Sequence, residues 1–359
     1  MMVKDIYDLT KTELRQELEE LGEKPYRAGQ IFSWLHARGA VSFDDMSDIS
    51  KSLRMKLKER YSMNRLQVME AQRSSTDGTV KYLFGLHDGS AIEGVFMEYR
   101  SWNTACISSQ VGCAMGCRFC ASGIDGCERN MTAGEMAAEV YGMERDTGKK
   151  ISNVVIMGSG EPLLNYDSLI RFIVMITDPD GKGISQRNIT VSTCGIVPGI
   201  DRLAGEKLGR EHSQVNLAIS LHAATDIKRK KIMPIAEKYS VSEVVAAAQR
   251  YYEATHRKVT FEYALIAGQN DTDEDAAELA ALLGGKDIHM PVLVNLIPVN
   301  PVEGNGYRRP SRQACVNFKN KLENFGINGS IRRELGSDID GACGQLRRRK
   351  RADYSDTGP

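Results

Sequence analysis

Apolar residues along this chain change their period as the sequence advances. In the first 60 or so residues they recur at helical spacing: Leu14, Leu18 and Leu21 share one face, Ile31, Trp34 and Leu35 another, and Leu53 with Leu57 a third. Thr10 with Glu13 has the form of a capping box, Gly22 with Pro25 ends the first run, and Gly39 ends the second. Next, TVKYLFGLHDGSAIEGVFMEYR sets two β-rich stretches around Asp88-Gly89, a strong hairpin signal. From about residue 101 short β-branched runs alternate with helix-length segments: NTACISSQ, NVVIMGSGEP, ITVSTCG, VNLAISLH, VTFEYALIAG and PVLVNLIPVN. Six such units predict an α/β fold with a parallel (βα) sheet, closed or partly closed as a barrel. Polar and glycine residues gather at the C-terminal ends of these strands, where such sheets place their active sites. The predicted organisation is a helical accessory domain over 1–62, a β-hairpin extension over 63–100, the (βα) core with a C-terminal loop over 101–346, and a basic, disordered tail over 347–359.

Composition adds bounds to this picture. The 359 residues are 42% hydrophobic and 26% charged, as in an ordinary soluble chain. MMVKDIYDLTKTEL is too polar for a signal peptide and no long apolar run follows, so the expectation is a cytoplasmic protein without a membrane segment. Eight cysteines in such a chain argue for metal binding or catalysis over a disulfide framework. Lysine plus arginine (47) equals aspartate plus glutamate (47), so any RNA binding must come from local patches. The candidates are Lys51, Arg54, Lys56, Lys58, Arg60 and Arg65; then Lys228, Arg229, Lys230 and Lys231; then Arg347, Arg348, Arg349, Lys350 and Arg351. Such clusters suit phosphate, although a solvated helix face is their commoner meaning.

The chemistry concentrates in CISSQVGCAMGCRFCASG, where Cys113, Cys117 and Cys120 follow the spacing C-x3-C-x2-C. A short, glycine-interrupted loop lets three thiolates converge on one metal centre, and thiolates are what iron–sulfur clusters and zinc select. A structural zinc would need a fourth protein ligand, with Cys106 or Cys127 available. Three ligands on a four-iron cluster would leave one iron open to a substrate.

This trio resembles the signature of radical S-adenosylmethionine (SAM) enzymes. Its setting, CISSQVGCAMGCRFC, resembles the RlmN/Cfr branch of that superfamily, which methylates adenosine in RNA. GSGEPLLN, SLHA, NLIPVNP and DIDGACGQL resemble the same branch in the same order, so the match spans nearly the whole chain. The resemblance implies a partial (βα)6 radical SAM barrel. Its cofactors would be one [4Fe–4S] cluster on Cys113, Cys117 and Cys120, and SAM held by Gly160, Glu161, Ser192, Ser220, Leu221, His222 and Asn300. It further implies that Cys343 is methylated by one SAM, that a deoxyadenosyl radical from a second SAM abstracts hydrogen from this S-methyl group, and that the resulting carbon radical adds to adenine. Cys106 would resolve the adduct through a transient disulfide with Cys343. Glu93 matches the branch's proton acceptor, with Cys106 a rival base. The implied substrates are 23S rRNA (adenosine 2503) and tRNA (adenosine 37), modified at C2, and the implied electron donor is a flavodoxin or ferredoxin. Segments GEPLLN and NLIPVNP favour the C2 reading over the C8 chemistry of Cfr-type members. One departure is Ser159, where the branch usually has Met in GMGEP. From another class, a zinc-stabilised, non-catalytic RNA-binding protein is the alternative.

Overall fold

The computed structural model describes residues 4–209, 211–302, 304–339 and 346. The chain begins with three helices, α1 (Lys11–Glu20), α2 (Arg27–His36) and α3 (Lys51–Arg60). Thr10 caps α1 in a complete capping box with Glu13, and Ser50 caps α3. Leu14 and Leu18, Ile31 and Leu35, and Leu53 and Leu57 are buried as their spacing requires.

Ten strands form the main sheet: β1 (Gln67–Arg73), β2 (Val80–Gly85), β3 (Ala91–Glu98), β4 (Asn103–Cys106), β5 (Asn153–Ile156), β6 (Ile189–Thr193), β7 (Asn216–Ser220), β8 (Val259–Leu265), β9 (Leu293–Pro298) and β10 (Asn328–Ile331). Their spatial order follows chain order from one edge to the other. β1 to β4 form an antiparallel meander, and β4 to β10 run parallel. The hairpin turning at Asp88-Gly89 is therefore continuous with the (βα) sheet, through the pairing of β3 with β4. Two strands had no counterpart in the hydrophobic pattern. β1 is a largely exposed edge strand, and β10 is a short, partly exposed strand containing Gly329, so neither presents an apolar run.

Helices α4 (Ala133–Thr147), α5 (Tyr166–Thr177), α6 (Val197–Gly205), α7 (Asp226–Ile232), α8 (Val241–Thr255), α9 (Asp273–Leu283) and α10 (Arg312–Asn324) form the crossovers between successive parallel strands. Val95 on β3 and Ile297 on β9 line one cavity although five strands lie between them, so the sheet is curled into a partial barrel. The buried apolar residues of α1–α3 belong to the same contiguous core as those of the sheet and its outer helices. Among the described residues no helix is long and apolar enough to cross a membrane.

Candidate active site

The C-terminal ends of the parallel strands open into a cavity of about 520 Å³. Cys106 closes β4 beside it, buried against Val95 and Met97 of β3. A short antiparallel pair, 110–112 with 127–130, then clasps the base of the cysteine loop. Inside the loop, Cys113 N donates to Gly126 O at 2.8 Å and Cys120 N to Cys117 O at 3.0 Å. Gly116 sits at φ +62°, a left-handed turn between the first two cysteines of the trio that a glycine adopts without strain.

All three thiols are half-buried. Burial pushes the Cys113 thiol up to about 11, and the neighbouring charges of Cys120, Glu161 and Cys127 push the same way. Cys117 is driven upward by burial first, then by Cys120 and Cys113. Thiols that raise one another are near neighbours, and three thiolates held together in a dry loop call for positive charge among them. A [4Fe–4S] cluster would supply it. Among the described residues no three His, Cys, Asp or Glu side chains converge as the ligands of a single ion would. Cubane ligands sit on separate corners and need no such convergence, so the donor set fits the cluster.

Next along the sheet, Gly160 at φ +108° brings backbone against backbone: a Cβ here would lie 2.7 Å from Gln110 N and 2.6 Å from Ser109 Oγ. Glu161 is buried, its amide donating to Gln110 Oε1 at 2.8 Å. Its Oε1 accepts from Leu163 N at 3.1 Å and its Oε2 from Cys194 N at 2.7 Å. The carboxylate thus ties the end of β5 to the end of β6, and burial raises its ionisation point against these bonds. Ser159 is buried too. Its Oγ lies 3.2 Å from Ser122 Oγ and its amide donates to Ser108 Oγ at 3.0 Å, so a polar bridge to the segment after the cysteines occupies the place of the branch's Met.

Ser192, Ser220, His222 and Asn300 line the cavity together with Cys106 and Cys120. Leu221, Gly160, Glu161, Cys113 and Cys117 are not among its lining residues. Leu221 is buried, its N–H donating to Glu262 O at 3.0 Å. His222 has φ +61°, and its Nδ1 accepts from Ala264 N at 2.9 Å, which leaves Nε2 as the protonated nitrogen. Burial, helped by Arg229, lowers its pKa to about 3, so the ring is neutral; Phe119 packs against it in a T-shaped arrangement with ring centroids 4.9 Å apart.

Glu93 lies on the inward face of β3, two residues from the cavity-lining Val95. It is buried and paired with the buried Lys81 at 2.9 Å. The solvated strand-face glutamate that such a position usually means is not what the fold holds. Cys343 lies outside the described residues, as does the basic run 347–351. The segment leading to it, with Leu335, Gly336, Ser337 and Ile339, lines the same cavity as Cys106.

The basic clusters are largely neutralised. Lys56 pairs with Glu23, Lys58 with Asp44, Arg60 with Glu17 and Glu20, Lys228 with Asp275 and Glu278, and Lys230 with Glu237. Arg229 is fully buried, which corrects its expected place in a phosphate-binding run. The arginines that do line the cavity, Arg309, Arg332 and Arg333, were not among the candidates. Glu262 was also missed: it lines the cavity, accepts from Asn295 Nδ2 at 2.7 Å and has its ionisation point raised by burial. The available signal was a lone acid inside the apolar run VTFEYALIAG.

Comparison with known proteins agrees with this geometry. Residues 4–63 match the family model described as ribosomal RNA large subunit methyltransferase N-terminal domain, and residues 107–280 match the radical SAM superfamily. A probable dual-specificity RNA methyltransferase RlmN of Lachnospira eligens is 49% identical over 98% of both chains. The protein of the same description in Lachnoclostridium phytofermentans is 51% identical over 96% of this chain and 94% of its own. The crystal structure of a radical SAM methyltransferase from Sphaerobacter thermophilus superposes with a TM-score of 0.88 at 43% identity, covering 95% of this chain and 98% of that one. With its two family matches in register, its partial barrel and its cysteine loop at the strand ends, this chain belongs to the RlmN family of radical SAM RNA methyltransferases.

Proposed function

We propose that this enzyme methylates C2 of adenosine in 23S rRNA and in tRNA, at the positions equivalent to adenosine 2503 and adenosine 37. The observation that carries the reading is one cavity lined at once by Cys106, by Cys120 of the trio and by the segment running into Cys343. When bound, the cluster on Cys113, Cys117 and Cys120 would supply the electron that cleaves SAM and take back the one that radical addition leaves on the base, and SAM would supply both methyl carbon and radical.

Cys343 accepts the methyl group as a thioether, its thiolate displacing the methyl from the sulfonium. Cys106, buried on the cavity wall, later attacks that sulfur; an S–S bond forms as the C–S bond breaks, the electron pair goes to the carbon now on the base, and that carbon takes up a proton to complete the methyl group. Glu93 takes up the ring proton, held in place by Lys81. The neutral His222, Ser192, Ser220 and Asn300 offer donors and acceptors to the polar groups of SAM, while the backbone at Gly160 offers close approach. Arg332 and Arg333 on the cavity wall can meet an RNA phosphate, whereas Arg309 beside them is paired with Glu334. The target adenosine has to leave its stack to enter.

Adenine C2 and C8 are both open to radical addition, so the pocket decides between them. Nucleoside digestion of rRNA and tRNA from a deletion strain complemented with this gene, followed by chromatography against standards, tests the reading. The expected product is 2-methyladenosine in both RNAs; a dominant 8-methyladenosine peak overturns the regiochemistry.

A further inference from the structure

Helix α7 carries four consecutive cations, Lys228 to Lys231, but only one of them turns wholly inward. Arg229 is completely buried. Its Nε donates to Leu221 O at 3.0 Å and its Nη1 to Tyr239 O at 3.3 Å. Its Nη2 donates to Cys194 O at 2.6 Å and to Ser220 O at 3.2 Å. These acceptors are backbone carbonyls, and among the described residues no carboxylate forms an ion pair with the guanidinium. Arginine does not escape burial by deprotonation, so a full positive charge sits in a dry region, hydrogen-bonded to dipoles, with the Asp226 carboxylate acting on it only at a distance.

Those carbonyls have a particular address. Cys194 follows β6, two residues from Ser192, and Ser220 and Leu221 close β7 just before His222. One planar fork therefore bridges the two strand ends that bear four of the proposed SAM contacts. The same helix also supports the cysteine loop: Arg118 N donates to Ile232 O at 2.9 Å, and Gly116 lies against Pro234 just beyond the helix. The charge of Arg229 is felt at Cys117 and Cys194.

We infer that Arg229 is a positioning residue with two jobs, fixing the ends of β6 and β7 for SAM and holding an unpaired positive charge beside the cluster. The inference rests on the reading of Cys113, Cys117 and Cys120 as cluster ligands. A cluster gains one negative charge on reduction, so a fixed, desolvated cation favours the reduced form and raises the potential. A buried cation whose charge reaches Cys117 suits a site whose occupant is anionic.

The test uses the full-length protein, reconstituted anaerobically with iron and sulfide. The midpoint potential is read by electron paramagnetic resonance titration, and SAM affinity by equilibrium dialysis. Arg229→Gln removes the charge and is expected to shift the potential to more negative values. Arg229→Lys loses the planar fork, and its buried amine can release its proton where arginine cannot, so it is read for SAM affinity, which should weaken about tenfold. A folded Arg229→Gln protein with unchanged potential overturns the electrostatic role, and unchanged SAM affinity in Arg229→Lys overturns the positioning role. Should Arg229→Gln fail to fold, the electrostatic role falls and Arg229→Lys decides the positioning role; if that variant also fails to fold, the residue is a structural brace and the whole inference falls. Absence of labile sulfide in the unsubstituted protein would instead sink the cluster reading itself, so the two failures are distinguishable.

Discussion

At the scale of single residues, the site is a set of polar groups whose charge states the fold has already decided. His222 is held neutral by burial, with its acceptor nitrogen spent on Ala264 N. Glu161 spends both oxygens on backbone amides. Glu93 is the carboxylate with a cation in the same dry layer, Lys81, and such a pair is expensive to break because the remaining charge stays buried. Glu93→Gln keeps the shape and loses the basicity. We predict that this variant still takes up methyl on Cys343, seen by mass spectrometry of the intact protein, yet loses turnover on RNA by about 100-fold or more. Normal turnover in that variant would leave Glu93 a structural partner of Lys81 and nothing else.

Elements bring these residues together, and here the limits of sequence reading have physical causes. The three starting helices, the hairpin and six parallel strands were legible because their apolar residues repeat at the right period. The cysteine trio was legible because its ligands are local. Glu262 with Asn295, and Arg229 with Cys194 and Ser220, are partners across strands or crossovers, and no spacing along the chain announces them. Arg229 also hides among lysines, since a basic run looks the same whether or not one member faces inward. The docking of the segment before Cys343 is another long-range contact of this kind. Asp338 accepts from Ser74 Oγ and Ser75 N at 2.7 Å and from Ser75 Oγ at 2.8 Å, and Asp77 Oδ2 accepts from Gly336 N at 2.8 Å. The turn between β1 and β2 thereby latches the cavity-lining stretch 335–339. Losing bonds to a charged acceptor speeds local opening by roughly tenfold. Asp338→Ala is therefore predicted to speed amide exchange at Ser75 and in 336–339 by about tenfold, with exchange in β8 unchanged. Equal protection in both proteins would mean that apolar packing, not the latch, holds the segment.

Over the whole molecule, the helical N-terminal layer is docked on the barrel through a seam that mixes ion pairs with one uncharged histidine. Arg171 on α5 reaches Glu13 at 2.6 and 2.7 Å and Asp8 O at 2.9 Å, Gly134 N donates to Asp8 Oδ1 at 2.8 Å, and Lys11 pairs with Asp178 at 3.0 Å. Between them His36 of α2 is buried against Phe32, with Nδ1 2.8 Å from the hydroxyl of Tyr141 on α4. Burial, assisted by the charge of Lys182, lowers its pKa from 6.5 to about 3. Between those two values the unfolded chain binds a proton at this site that the folded chain refuses. Its contribution to stability is therefore intact above about pH 6.5 and declines as the pH falls toward 3, by about 1.4 kcal/mol per pH unit. Asp5, near the same seam, has its pKa raised to about 6, chiefly by burial, and titrates with the opposite sign. The wild-type curve alone therefore does not isolate the histidine. The difference between wild type and His36→Phe does, since phenylalanine keeps an aromatic ring beside Phe32 and cannot protonate. Chemical denaturation at pH 7 and pH 5 is predicted to show wild type losing about 2 kcal/mol more than the variant. Parallel losses in the two proteins would mean that His36 is reached by water in the folded state, and that the seam is looser than its packing implies.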